Sequence, residues 1–282
     1  MPYTLIKGKY HVTGYSPDGD TIRFQPDNVQ QLDNILGPNR RLQINDKQHV
    51  SLRFDGVDTL ETHYSGEHQP ELLGNQATDF VLNSLGINNV VWNTNHSKIS
   101  SSDDGITGYI LTRSKDLFGR IISFVFSGVP VENDGDDVFL NSNRLRQSIN
   151  YKLLENGLAY PAFYKGLFPD LRETMTTAAK KSRIDNSGIW AVDSTHSVTV
   201  SGTSSITDTS VIFPKLFRRM ISYLKSNSSS VDGFVSYLEQ RNDELLLLYS
   251  RQTIFFDTLI RVDNNHLSMG VLPESIIFLP RS

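Results

Sequence analysis

The sequence contains no cysteine. That absence removes disulfides, thiolate nucleophiles and Cys-type zinc sites together. It leaves the compartment open, because secreted proteins without cysteine are common. Long apolar runs are also missing. No stretch approaches the roughly 20 residues that a membrane-spanning helix needs, so no membrane partner is expected. The opening "MPYTLIKGKYHV" lacks a basic segment followed by an apolar one, so no signal peptide is expected and a cytoplasmic location is favoured. Nor is there an excess of positive charge: 27 Lys and Arg face 31 Asp and Glu, a net charge of −4. Such a chain exerts no long-range pull on nucleic acid. A polyanion would need a local basic site or a bound cation.

What is present suits a soluble globular protein. Its 282 residues are 38% hydrophobic and 21% charged, enough for one large domain or two ordinary ones. From about Lys7 to Val129 the chain reads mainly as strands. "KGKYHVTGYS" and "DTIRFQP" flank a hairpin turn at Pro17-Asp18-Gly19. "HVSLRFDGV" reads as a third strand and "NNVVWNT" as a fourth; "TGYILTRS" and "GRIISFVFS" form a further pair around "KDLFG". One helix interrupts them, where Leu73, Ala77, Phe80, Val81 and Leu85 recur at helical spacing before Gly86. Two more helices follow, "NYKLLENGLAY" with Asn150 as its expected N-cap and "PDLRETMTTAAKKSR" opened by Pro169.

Residues 194–210 are mostly Ser and Thr and read as a linker between a first domain, 1–193, and a second, 211–282. The second is expected to be mainly helical. "FPKLFRRMISYLKSN" and "SVDGFVSYLEQRN" have helical periodicity, and "ELLLLYSRQTIFFDTLI" is apolar nearly all round, the pattern of a buried helix. "HLSMGVLPESIIFLP" reads as a final strand pair. This region is the expected surface for a protein partner or a second copy of the chain.

Acidic residues crowd two apolar stretches, "SPDGDTIRF" (16–24) and "LRFDGVDTLET" (52–62). Charge at that density beside a buried strand costs stability unless something pairs with it. Two aspartates offering hard oxygen ligands suit a calcium ion, and arginines suit the forked recognition of phosphate. Taken alone, Asp20 reads better as a turn residue and Arg120 as an exposed hairpin residue, and Asp20 points to a metal only together with Asp58. Arg53 could be an edge-strand charge, but its place between Leu52 and Phe54 beside the acids favours function.

The motif order is more specific than any one motif. "DGDTIRF" (18–24), "LRFDGVDTLET" (52–62), "FGRIISFV" (118–125), "LLENGLAY" (153–160) and "LRETMTTAAKKSRIDNSGIW" (171–190) follow one another. In that order they resemble the staphylococcal (micrococcal) nuclease family, the thermonucleases, over roughly residues 9–193. The resemblance implies an α+β fold for this part: a five-stranded OB-fold barrel with three helices. It also implies calcium-dependent hydrolysis of DNA or RNA, with single strands preferred and 3′-phosphate ends left. Carried over position by position, Asp20, Asp58 and the Thr59 carbonyl would hold calcium. Glu61 would activate water, and Arg53 and Arg120 would hold the phosphate.

Two departures bear on activity. The family usually has Pro where this chain has Leu60, which is expected to loosen the turn that aims Glu61. It carries Lys and Tyr where this chain has Leu117 and Phe118, so base stacking would fall to Phe118, Phe163 or Tyr164; ordinary core packing is an equal alternative for all three. A domain that binds nucleic acid or a protein without turnover is the alternative for the whole site. Smaller features carry bland expectations. "ENDGDDVF" (132–139) reads as a solvated loop without the glutamate of a calcium loop, and Arg40, Arg41, Arg218 and Arg219 read as solvated charges.

Overall fold

The computed structural model describes residues 2–32, 42–227 and 230–279. Arg40 and Arg41 lie outside them. The chain divides into two compact units, Met1–Asp55 with Gln76–Leu153, and Gly56–Asn75 with Leu154–Ser282.

The first unit is built on β1 (Tyr3–His11), β2 (Thr21–Pro26), β3 (Val50–Phe54), β7 (Ile106–Lys115) and β8 (Ile121–Ser127). Pairing runs β1–β2–β3–β8–β7 and back to β1; only β3–β8 is parallel. The sheet therefore closes on itself, a five-stranded mixed barrel with the pairing of an OB-fold. Alternation along β2, whose Ile22 and Phe24 are buried, sends every second side chain into the barrel. Gly8 and Gly108 face each other across β1 and β7, where no Cβ would fit beneath the rings of Phe24 and Tyr10. β9 (Asp137–Val138) extends the sheet beside Tyr3 and Thr4 of β1. "NNVVWNT" supplies only β5 (Val91–Trp92), which pairs with β6 (Ile99–Ser101) in a separate hairpin, so it is not a barrel strand.

Helix α1 (Glu71–Leu85) ends as its sequence requires. Gly86 takes φ +83°, its N–H donates to the Asn83 carbonyl, and that of Ile87 donates to Leu82, a Schellman closure. Asn150 is not an N-cap. It lies inside α3 (Ile149–Glu155), which follows the short α2 (Ser142–Leu145). The Ser148 hydroxyl takes the capping role, accepting from the Tyr151 N–H at 3.1 Å. Asn150 instead accepts from the Val125 N–H and donates to the Asp55 and Ser123 carbonyls, a buried clasp on the end of the barrel. The acids of "ENDGDDVF" serve their own backbone and neighbours: Asp134 accepts from the Lys7 N–H, Asp136 from the Asn133 N–H, and Glu132 pairs with Arg144.

The second unit joins β4 (Gly56–Asp58) and β10 (Tyr160–Tyr164) to strands from the far end of the chain. The order is β13 (Thr253–Phe255), β12 (Glu244–Leu247), β16 (Ile276–Phe278), β10, β4. α4 (Pro169–Ile184), α5 (Pro214–Asn227) and α6 (Phe234–Glu239) also belong to this unit, with a second sheet of β11 (Val198–Thr199), β15 (His266–Met269) and β14 (Ile260–Asp263). Three expectations fail here. The run "ELLLLYSRQTIFF" is the β12–β13 hairpin, not a helix. The region after residue 211 mixes strands and helices rather than being mainly helical. Residues 194–210 are no linker: β11 is paired, and Val198, Val200 and Ile206 are buried in the unit's core.

Candidate active site

In the barrel unit, the turn before β2 is closed by the Asp18 N–H donating to the Thr21 carbonyl, which places Asp20 at the mouth of the strand. The Asp20 carbonyl accepts from the Phe54 N–H at 2.9 Å, and Thr21 lies opposite Arg53 in the β2–β3 register. The two side chains thus meet. The Asp20 carboxylate accepts from the Thr21 hydroxyl at 3.1 Å and pairs with the Arg53 guanidinium, with both groups largely buried. Arg120 follows the tight turn between β7 and β8. Its backbone N–H and its Nε both donate to Asp116, at 2.9 and 2.6 Å, so the guanidinium is aimed by its own turn.

In the second unit, Asp58 ends β4 opposite Tyr160, and its side chain is 1% exposed. Thr59 and Leu60 are buried after it. Leu60 packs into the unit's apolar core, so it anchors this turn rather than loosening it. The loop beyond is gripped by the buried Gln69. Its amide oxygen accepts from the Glu61 N–H at 3.2 Å, its backbone N–H donates to the Glu61 carbonyl at 2.7 Å, and its side-chain NH₂ donates to the Ile212 carbonyl at 2.8 Å.

Asp58 and Glu61 converge on one cation, Arg218 of α5. The guanidinium donates to both Asp58 oxygens, at 3.1 and 2.8 Å, and to Glu61. Burial would lower the Arg218 pKa, but the two carboxylates overcome it and hold the proton more tightly than in free arginine. Neighbouring cations on the helix have their own acid. Arg219 forks onto Asp243 at 2.5 and 2.7 Å, and Lys215 lies 3.5 Å from the same carboxylate. Burial pushes the Lys215 ammonium down to about 8, partly offset by Asp243. Arg218 and Arg219 are therefore not solvated charges. A sequence signal existed: Lys215, Arg218 and Ser222 recur at helical spacing in a helix otherwise rich in apolar residues. It marks a polar stripe without saying what the stripe meets.

The three aromatic candidates part company. Phe163 is fully buried and packs the core, so it is not available to a base. Tyr164 is partly exposed, its ring 5.6 Å from Phe278. Phe118 is 72% exposed at the tip of the β7–β8 turn, with the Arg120 guanidinium 5.9 Å from its ring centre. Among the described residues, no cluster of three or more His, Cys, Asp or Glu side chains is placed to hold a metal ion, and no helix is long and apolar enough to cross a membrane.

Residues 51–192, half of the chain, match the model of the family described as Staphylococcal nuclease homologue. Asp20 precedes the matched span. No curated protein matches the chain.

Proposed function

The chain belongs to the staphylococcal nuclease homologue family, and on that premise we propose that it is a calcium-dependent nuclease that cleaves DNA or RNA phosphodiesters, prefers single strands and leaves 3′-phosphate ends. The observation that carries this reading is the convergence of two carboxylates, Asp58 and Glu61, on the Arg218 guanidinium. A pair of acids at the end of a buried strand is tolerable only beside a cation, and hard carboxylate oxygens with a main-chain carbonyl are calcium's donor chemistry. The donor chemistry suits the ion, and Asp20 is engaged by Arg53 and Asp58 by Arg218 here.

Asp20, Asp58 and the Thr59 carbonyl would hold the ion. When bound, it supplies neutralising charge to a phosphate that gains negative charge during attack. Glu61 takes a proton from the attacking water, whose oxygen bonds to phosphorus as the bond to the 5′ oxygen breaks. General-base help of this kind is typically worth about 10²–10⁴-fold. Arg53 and Arg120 fork onto the phosphate oxygens, a geometry lysine does not offer. The exposed Phe118 offers a face on which an unpaired base stacks, which favours single strands.

The test is nicking of a short single-stranded DNA. Cleavage is expected with calcium, and it should disappear with chelator and fall at least about 10²-fold in Glu61→Gln. Cleavage that survives both treatments removes this reading. The Arg218 contact favours a second reading, a nuclease-fold module that binds without turnover. It requires binding that persists in chelator and no cleavage with any divalent ion.

A further inference from the structure

Helix α5 does more than contribute one arginine. Residues 218, 222 and 225 share a face, and all three meet the segment that carries the acids. Arg218 holds Asp58 and Glu61, the Ser222 hydroxyl lies 3.2 Å from that of Tyr64, and Lys225 reaches the Ser65 carbonyl and, at 3.2 Å, Glu67. The helix is a strap laid along residues 58–67.

Two physical points follow. Arginine stays charged across the working pH range, so Arg218 does not leave by losing its proton. Nor does it leave without cost, because its guanidinium donates to both Asp58 oxygens and to Glu61, and breaking a buried ion pair is strongly unfavourable. Because the guanidinium covers both Asp58 oxygens, a metal ion reaches them only by displacing it.

We propose that Arg218 is a tethered counter-cation: α5 seats its guanidinium on Asp58 and Glu61, and a divalent ion gains those carboxylates only by exchange with it. The inference rests on the calcium reading of Asp58. It makes the Arg218 side chain, held in place by a helix whose other face is packed in the core, an inhibitory plug whose displacement opens the acids to metal. Whatever draws the Arg218 guanidinium off the acids raises metal affinity, and metal in turn displaces the guanidinium, since such coupling is reciprocal.

The experiment is a calorimetric titration with calcium chloride of the full chain, Arg218→Gln and Arg218→Lys, with single-stranded DNA cleavage measured on the same samples. Arg218→Gln is expected to bind calcium at least about tenfold more tightly than the unaltered chain, the order of one lost charge-assisted contact. Arg218→Lys, which keeps the charge without the fork, should fall between. If Arg218→Gln unfolds, calcium should restore its circular dichroism by replacing the missing charge. Equal affinity in the three proteins overturns the proposal, and so does failure of calcium to restore an unfolded variant. Tighter calcium binding without cleavage upholds the exchange and removes the nuclease reading. Cleavage at unchanged affinity does the reverse.

Discussion

Gln69 shows how much positioning one neutral side chain can do. It is fully buried, and its three hydrogen bonds tie the Glu61 backbone, on both sides of the residue, to the carbonyl of Ile212. Replacing it by Ala leaves the Glu61 N–H and the Ile212 carbonyl without their partner. A loss of roughly 1–3 kcal/mol is expected from such unsatisfied groups. Urea unfolding of Gln69→Ala measures it, and an unchanged midpoint would show that the loop is held by other contacts. At this scale the sequence was legible where partners are neighbours. Asp58 and Glu61 stand in one short motif, and Asp20 stands just before a strand that pairs with the strand of Arg53. Arg218 was illegible because it lies 160 and 157 positions from its partners, beyond the reach of any spacing rule. Phe163 and Tyr164 were ambiguous for another reason. They are adjacent in a strand, where successive side chains take opposite faces, and only the packing decides which face is buried.

Elements were legible where sequence carries punctuation. α1 has apolar periodicity and a glycine stop, and the β1–β2 turn has its Asp-Gly pair. The β12–β13 hairpin had neither. "ELLLLYSRQTIFF" is an apolar run broken only by polar residues that also suit a helix, and period alone does not separate the two. What decides is tertiary: β12 pairs with β16 on one side and β13 on the other, with Arg251 taking φ +58° in the turn. The barrel supplies a prediction of the same kind. A Cβ on Gly108 would stand 2.2 Å from the Tyr10 ring and 2.6 Å from the Phe126 carbonyl, and Gly8 opposite is as tightly covered. Gly108→Ala should therefore destabilise by roughly 1–3 kcal/mol through overpacking. Gly166→Ala, whose Cβ would meet nothing within 4 Å, should stay within about 0.5 kcal/mol. Equal thermal midpoints for the two variants would show that the strands spread without cost.

At the scale of the whole molecule, the nuclease-like motifs and the C-terminal region do not divide at residue 193. The second unit's apolar core takes Leu60, Tyr160, Ala162, Ile189 and Trp190 from the earlier part of the chain, and Phe213, Phe217, Met220 and Phe278 from the later part. β10 has β16 as its parallel neighbour, and Arg183 of α4 forks onto the buried Glu274 at 2.6 and 2.8 Å. A linker was expected because Ser and Thr dominate residues 194–210. The few apolar residues there, Val198, Val200 and Ile206, proved sufficient to anchor the segment. A chain ended at Asp193 would lose one neighbour of β10, the partner of Arg183 and most of the core's side chains. Buried apolar area is the main force holding such a unit together, and marginal stability leaves little reserve. The shortened chain should therefore bind a hydrophobic dye and lose hydrogen-exchange protection over residues 56–75 and 154–193. It should also fail to nick DNA at any calcium concentration, because Asp58 and Glu61 sit in the unit that melts. Full protection of those residues in the shortened chain would mean that the earlier segments fold without the later ones, leaving α5 as an addition to a complete nuclease domain.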